Sequence, residues 1–376
     1  MTARTLFAGF LLASFLFSCA EDIPQKNILE SALSTTDPTI KRVMDSVSHY
    51  DLQIRYTRIT RYKDSVSFKD YDFRTNQQAY FYPGNTVGLL TAVLSLEKLN
   101  ELDKLDLHSR FYIEGDTLET TFTNEITKIL TLHDNEANDR LFEFLGQDRI
   151  NNALRNKEIF PVCISHRLSP TNAFELTTKP IIAYLNDSTT TPLAPSINTP
   201  PLALNLPRAK RVKSHKEDDS STEAPIDLSL HNYFPLEAQN QVLKRIFFPD
   251  NFPAHQQFNL STEQYHFLRK AMQVLATTEK SPSEVEPLNF LSMQTKEADL
   301  NNIAVYHKSS HDYHTFTDYT YIKDSTNKVE FMLNATILET KNHILNDSFT
   351  PHDTLKTPFL TQLAREIYTL EVNRNQ

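Results

Sequence analysis

The sequence predicts an α/β protein of the α+β type, in which one antiparallel sheet packs on helices and a helical subdomain is added. Alternating apolar residues indicate two strands in the first part of the chain, at 50–60 and 65–73. Strand-like runs return near the carboxyl terminus, at 303–306, 315–322 and 329–338. The segments between them repeat apolar residues at helical spacing. The sheet is therefore expected to form from both chain ends.

The first residues resemble a bacterial lipoprotein signal. Arg4 precedes the apolar run Leu6–Phe17, which is shorter than the roughly 20 residues that a membrane-spanning helix needs. Leu16-Phe17-Ser18-Cys19 resembles a lipobox, so residues 1–19 are predicted to be a signal peptide and Cys19 to carry lipid. An ordinary secretory signal is the alternative. The resemblance implies an envelope protein, with the outer membrane the favoured location, facing the periplasm or the exterior.

The remaining elements follow in chain order. Residues 20–40 are polar and predict a tether. Apolar spacing predicts helices at 40–47, 85–102, 123–132, 135–154, 235–247, 262–275 and 358–370. Proline, threonine, serine and asparagine dominate 185–225, which predicts a long loop or an irregular insertion.

Composition excludes several function classes. The net charge is -9, which does not suit nucleic-acid binding, and the basic run 208–213 is followed at once by acidic residues. With only 5 glycines, the chain has no Gly-rich phosphate loop, and no cofactor is predicted. If Cys19 carries lipid, Cys163 has no partner for a disulfide. Its apolar surroundings predict a buried thiol rather than a nucleophile.

One motif lies at the start of the predicted helix 85–102. The segment Tyr82–Gly88 resembles the opening of the main helix in class A β-lactamase-like serine hydrolases, where that family has Ser-x-x-Lys. A serine at a helix amino terminus lies near unpaired N–H groups, and a lysine one turn later can take its proton. Here Asn85 stands at the serine position and Gly88 at the lysine position, so neither group of the catalytic pair is present.

Two further motifs match the same family. His133-Asp134-Asn135 corresponds to Ser-Asp-Asn, so the resemblance places His133 where a hydroxyl shuttles a proton and Asn135 where an amide orients the substrate. Lys308-Ser309-Ser310 corresponds to Lys-Thr-Gly. The resemblance implies that Lys308 attracts a substrate carboxylate and that Ser310, in place of glycine, crowds the strand edge.

The resemblance spans 41–180 and 286–376 and implies a β-lactamase and penicillin-binding-protein-like domain, with 181–285 as an insertion. Val329–Ile337 is similar to the corresponding strand of Bacteroidetes-type members. His166–Ser169 resembles the start of the family's site loop. The general-base glutamate would follow, but only Glu175 is available and its surroundings do not match.

These motifs predict a catalytically inactive envelope lipoprotein with a binding role, in which Asp134, Asn135 and Lys308 contact the ligand. A peptidoglycan-like peptide, a glycan and a protein are the candidate partners, besides the membrane. The alternative is an active serine hydrolase on a β-lactam or peptidoglycan-type amide, with a relocated nucleophile such as Ser309.

Two other chemistries have weaker signals in the sequence. His307, His311 and His314 suggest a metal site, but a strand directs His314 to the opposite face from the other two, and no metal is predicted. Glu136 and Glu143 suggest glycoside chemistry, although carboxylate pairs arise readily by chance in a chain with 47 acidic residues.

Overall fold

The computed structural model of the protein describes residues 26–211, 226–274, 303–339 and 356–375. Its helices are α1 (Ile28–Leu33), α2 (Pro38–Asp45), α3 (Gly88–Leu99), α4 (Phe122–Thr131), α5 (Asn135–Leu145), α6 (Gln147–Asn156), α7 (Leu236–Phe247), α8 (Thr262–Met272) and α9 (Lys356–Asn375). Its strands are β1 (Tyr50–Tyr62), β2 (Ser65–Phe73), β3 (Arg110–Ile113), β4 (Thr120–Thr121), β5 (Ile181–Asn186), β6 (Thr189–Leu193), β7 (Lys210–Arg211), β8 (Ile226–Asp227), β9 (Gln273–Val274), β10 (Ile303–Asp312), β11 (Thr315–Asp324) and β12 (Val329–Glu339).

The main sheet joins the two ends of the chain, as predicted. Its strand order is β2-β1-β12-β11-β10-β9, and every neighbouring pair is antiparallel. In the central pair, Tyr56 of β1 lies opposite Leu333 of β12. A second sheet, with the order β4-β3-β5-β6, lies in the helical part. The predicted fold class is therefore confirmed.

Helices cover both faces of the main sheet. On one face, α1, α2 and α9 pack against β1 and β12 through a core that includes Leu29, Ile54 and Phe359. On the other face, α3, α4 and α7 form a larger core that reaches the sheet at Tyr319 and Met332. This second layer contains the start of α3, where the sequence predicts the site.

Two elements correct the sequence-based predictions. The predicted tether 20–40 contains α1, which begins with a capping box between Asn27 and Glu30 and buries Leu29. The single helix predicted at 135–154 is two helices, because Gly146 between them has a φ of +77° that ends α5.

The described part of the predicted insertion 181–285 packs into the same body. β5 extends the second sheet beside β3, while α7 and α8 contribute Val242 and Leu268 to the larger core. Its boundaries remain a prediction, as does the signal peptide, because residues 1–19 lie outside the described residues. Within the described ranges, no helix is long and apolar enough to cross a bilayer.

Candidate functional site

The start of α3 is rigidly held against the sheet. Residues Gly84–Val87 form a 3-10 turn that leads into the helix, and Asn85 and Thr86 in this turn are buried. The Tyr319 hydroxyl on β11 donates to the Thr86 carbonyl at 2.9 Å. The Asn85 main-chain N–H donates to the Ser310 hydroxyl at 2.9 Å. The turn therefore directs Asn85 towards β10 and the helical layer.

The second motif lies where α4 turns into α5. His133 adopts a φ of +55°, which reverses the chain, and the Asp134 carboxylate caps α5 by accepting from Ala137 N at 2.9 Å. Asp134 is therefore occupied as a helix cap. Asn135 opens α5 and is exposed, so it lies where the motif meets solvent.

The third motif lies on β10. Side chains alternate along a strand, so Lys308 and Ser310 share a face while Ser309 points to the other. Lys308 is fully buried, at 0% exposure, and therefore does not reach solvent as a carboxylate-binding group would. Its predicted contact with a ligand is not supported. The Ser309 hydroxyl is also buried and has no hydrogen-bond partner among the described residues.

The structure brings the three motifs together on the Asn85 side chain. Its amide nitrogen donates to the His133 carbonyl at 3.0 Å and to Asn135 Oδ1 at 2.6 Å. Its amide oxygen accepts from Lys308 Nζ. Both amide hydrogens and one lone pair of the amide oxygen are thus engaged in hydrogen bonds within the protein. The side chain at the nucleophile position therefore links the start of α3 to β10 and to the start of α5 through hydrogen bonds.

Lys308 completes this network. Its Nζ donates to the Ile129 carbonyl at 2.7 Å, in the last turn of α4, and lies 2.9 Å from His133 Nδ1. Burial lowers the pKa of Lys308 well below its ordinary value. Burial, and then the neighbouring Lys308, lower the pKa of His133 to about 3. The Asn85 amide oxygen, the Ile129 carbonyl and His133 Nδ1 thus surround Nζ with three hydrogen-bonding partners within the protein.

The place of the missing catalytic lysine is filled. A Cβ added to Gly88 would lie only 2.5 Å from Cγ2 of Ile129 on α4. Helix propensity disfavours glycine inside a helix by about 1 kcal/mol relative to alanine. The close approach of α4 explains the glycine, because any side chain at position 88 would displace Ile129.

Ser310 packs against the start of α3, and Gly84 accommodates it. A Cβ at position 84 would lie 2.1 Å from the Ser310 hydroxyl, and Gly84 has a φ of +51°. Both the space and the backbone conformation require glycine there. Ser310 thus fills space beside the start of α3.

The predicted site loop is anchored by a buried ion pair. Arg167 contacts both carboxylate oxygens of Glu143 on α5, at 2.6 and 3.0 Å. Arg167 also donates to the carbonyl of Glu175, whose side chain is exposed. The Glu143 carboxylate is therefore bound to Arg167, while the Glu136 side chain is exposed. The two carboxylates do not form the pair that glycoside hydrolysis would need. Glu175 does not occupy a buried general-base position.

The other candidate residues are the possible nucleophile Cys163 and the possible metal ligands His307 and His311. The Cys163 thiol is half-buried and burial raises its pKa, which opposes a role as a nucleophile. Of the predicted metal ligands, His307 Nδ1 lies 3.5 Å from an Asp318 carboxylate oxygen and His311 packs on Phe316. In the described part of the chain, no group of three or more histidine, cysteine, aspartate or glutamate side chains could hold a metal ion.

Sequence reasoning missed a cluster of five rings beside this network. The rings are Tyr82, His166, Phe174, His231 and Tyr313, and each contacts at least two of the others. They come from four distant parts of the chain, so no local spacing could have indicated the cluster.

The chain is similar to solved structures of class A β-lactamases. The TLA-1 extended-spectrum β-lactamase has a TM-score of 0.52 and 12% identity, and the match covers 90% of this chain and 98% of that chain. The β-lactamase from Desulfarculus baarsii DSM 2075 gives 0.52 and 10%, with coverages of 92% and 98%. A class A β-lactamase representative from Bacteroides cellulosilyticus DSM 14838 gives 0.50 and 11%, with coverages of 92% and 99%.

No protein-family model and no curated protein sequence matches the chain. At these identities the similarity concerns the fold alone. The chain has a β-lactamase-like α/β fold over most of its length.

Proposed function

We propose that this protein is a non-catalytic, lipid-anchored envelope protein that uses a β-lactamase-like fold for binding. The observation that carries the proposal is the side chain at the nucleophile position. Asn85 is a carboxamide, and its amide group is held by Lys308, His133 and Asn135. A carboxamide nitrogen is not a nucleophile at neutral pH, and this one has both hydrogens engaged.

The described residues around Asn85 also favour the absence of the reaction. Acyl transfer needs a nucleophile beside a base, and deacylation needs a positioned water. Lys308 is buried among contacts within the protein, and the Gly88 position has no room for a second lysine beside Ile129. Ser309 points away from Lys308 on β10. These features favour a protein that keeps the scaffold without the reaction.

Intact-protein mass spectrometry tests the absence of acylation. A soluble form that lacks residues 1–19 is incubated with benzylpenicillin, and the drug is followed in parallel. We expect an unchanged protein mass and no loss of drug, with circular dichroism showing that the protein is folded. A stoichiometric adduct on one serine, or turnover of the drug, would establish a nucleophile and contradict the proposal.

An engineered series serves as the control. Asn85→Ser with Gly88→Lys restores the family's pair but forces the lysine against Ile129. Adding Ile129→Ala removes that contact. We expect no adduct from the double variant and a detectable adduct from the triple variant. Acylation of the double variant would show that the Gly88 position is not blocked.

The lipid anchor is proposed from the sequence alone. Leu16-Phe17-Ser18-Cys19 carries this part of the proposal, and lipid on Cys19 would hold the body at a membrane facing the periplasm or the exterior. Metabolic labelling with a palmitate analogue should label the wild type and not Cys19→Ala. Labelling that survives Cys19→Ala would contradict the lipidation of Cys19.

A further inference from the structure

The ring cluster adjoins an open pocket. The pocket has a volume of about 310 Å³, and Phe174 and His231 of the cluster line it together with Asp227, Ser229 and Leu230. Phe174 is 48% exposed, so a large aromatic face is in contact with solvent. Aromatic faces beside a few polar groups are typical of small-ligand sites.

His166 has an unused hydrogen-bond acceptor and packs behind two of the rings that line this pocket. Its ring is 5% exposed and packs on both Phe174 and His231, at centroid distances of 5.0 and 4.9 Å. Its Nδ1 contacts the Arg167 carbonyl and must donate to it, since a carbonyl only accepts. Burial lowers the pKa of His166 to about 4, so the ring is neutral at pH 7. Its Nε2 is therefore a bare acceptor.

That acceptor is unsatisfied. Among the described residues, His166 Nε2 has no hydrogen-bond partner, and neither has the buried Nδ1 of His231. A buried polar atom without a partner destabilises the folded protein, and such atoms are few in native structures. His231 lines the pocket and His166 packs on it, so a ligand that reaches these rings could satisfy either nitrogen.

The charges beside the rings favour a cationic donor. The Asp227 carboxylate lines the pocket, and Asp312 lies beside Tyr82 at the other side of the cluster. Lys210 pairs with Asp227 at 3.2 Å, but the two side chains are 72% and 51% exposed, so a ligand can replace this weak pair. Electron-rich ring faces attract ammonium and guanidinium groups.

We propose that the ring cluster and its pocket bind a protonated amine or guanidinium carried on an apolar chain, such as a lysine-like or arginine-like side chain of a peptide. The rings would contact the apolar chain and the cation, Asp227 would pair with the charge, and His166 Nε2 would accept an N–H. The proposal names the ligand class of the proposed binding function and rests on it.

Titration calorimetry on the soluble form that lacks residues 1–19 tests this ligand class. The probes are Nα-acetyl-lysine amide and Nα-acetyl-arginine amide, with the norleucine amide as the uncharged counterpart and N-acetylglucosamine as a neutral donor. We expect the cationic probes to bind roughly fivefold or more tightly than the norleucine probe. Equal binding of the norleucine probe, preferential binding of the sugar, or no binding of any probe at millimolar concentration would overturn the proposal.

Two variants locate the site. Asp227→Asn and His231→Phe should each weaken binding of the cationic probes by roughly fivefold or more. Asp187→Asn, which removes a carboxylate that is 99% exposed on β-hairpin β5–β6, should leave it unchanged. Nitrogen NMR of the unmutated protein gives a second measurement that does not depend on folding of a variant. The ring nitrogens of His166 and His231 should shift on titration, and unchanged signals with bound probe would place the site elsewhere.

These outcomes are separable from those of the proposed function. Acylation by benzylpenicillin would contradict the non-catalytic function whatever the calorimetry gives. Failure of every cationic probe, with no acylation, would remove this ligand class and leave the non-catalytic function intact.

Discussion

At the scale of single residues, the two glycines at the site show how the lost chemistry and the packing are linked. Gly84 admits Ser310, and Gly88 admits Ile129, so each absent side chain is matched by a neighbour that fills its space. A catalytic lysine at position 88 would need Ile129 to move. The start of α3 is thus closely packed against its neighbours. This packing can be tested independently of any ligand.

Gly88→Ala should destabilise the protein by roughly 1 to 3 kcal/mol, the range for overpacking a filled core. The added methyl group would lie 2.5 Å from Ile129 Cγ2. In an Ile129→Ala background the same substitution should be close to neutral, or slightly stabilising through helix propensity. Urea unfolding of the four proteins measures the coupling. Additive effects of the two changes would contradict the contact.

Asp312 predicts a pH dependence. Burial raises its pKa from 3.8 to about 6. Between these values the folded protein holds a proton that the unfolded chain has lost, so this group's contribution to stability falls as the pH rises from about 4 to about 6. Asp312→Asn should therefore be more stable than the wild type at pH 7.5, by up to roughly 2 kcal/mol, and this advantage should shrink towards pH 4.

Urea unfolding at both pH values measures the difference. The wild type, unfolded in the same two buffers, is the reference for both measurements. An Asp312→Asn advantage that is the same at pH 4 and pH 7.5 would contradict the raised pKa.

At the scale of elements, the loop after α6 depends on one ion pair. Arg167 pairs with Glu143 in two contacts, and Glu143 also accepts from Lys179 N at 2.7 Å. Removing one partner of a buried pair leaves the other charge uncompensated, which costs roughly 3 to 5 kcal/mol. Glu143→Gln should therefore lower the free energy of unfolding by about that range, and increase hydrogen exchange between 166 and 179.

Glu175→Gln in the same loop is the control. Its side chain is exposed, and Arg167 contacts only its main-chain carbonyl. It should leave both stability and exchange unchanged. A similar loss of stability in Glu143→Gln and Glu175→Gln would contradict the role of the ion pair.

A strand could be predicted from the sequence where the alternation of apolar residues was the only periodic signal. The alternation of Leu52, Ile54 and Tyr56 indicates β1 because these side chains share one buried face. The break at Gly146 was missed because apolar residues continue at helical spacing on both sides, and only the positive φ separates α5 from α6. The helix α1 was missed because it is only 6 residues long and its burial depends on α9, far along the chain.

The site was predictable only in part, for a related reason. Short motifs identified Asn85, His133, Asn135 and Lys308, and the structure brings these side chains together. Their hydrogen bonds to one another could not be derived from spacing, since they join separate elements. The ring cluster had no local signal at all, because its members meet only after the chain has folded.

At the scale of the whole molecule, the two chain ends stabilise the sheet together. The Glu371 carboxylate of α9 accepts from Arg58 of β1 at 2.7 Å, and α1 packs beside α9 on the same sheet face. Residues placed in the predicted tether are thus part of the folded body. Leu29 is 1% exposed and contributes to that core. Shortening the Leu29 side chain should therefore destabilise the entire domain, and not only release a terminal segment.

Leu29→Ala should lower the free energy of unfolding by roughly 2 to 4 kcal/mol, as expected for a leucine removed from a packed core. Lys26→Ala, at an exposed position just before α1, is the matched control and should have little effect. Thermal and urea unfolding followed by circular dichroism should then show one shifted transition, because α1, α9 and the sheet share a core. If Leu29→Ala had no effect, α1 would contribute nothing to the body, and the tether would extend to α2 as the sequence predicted.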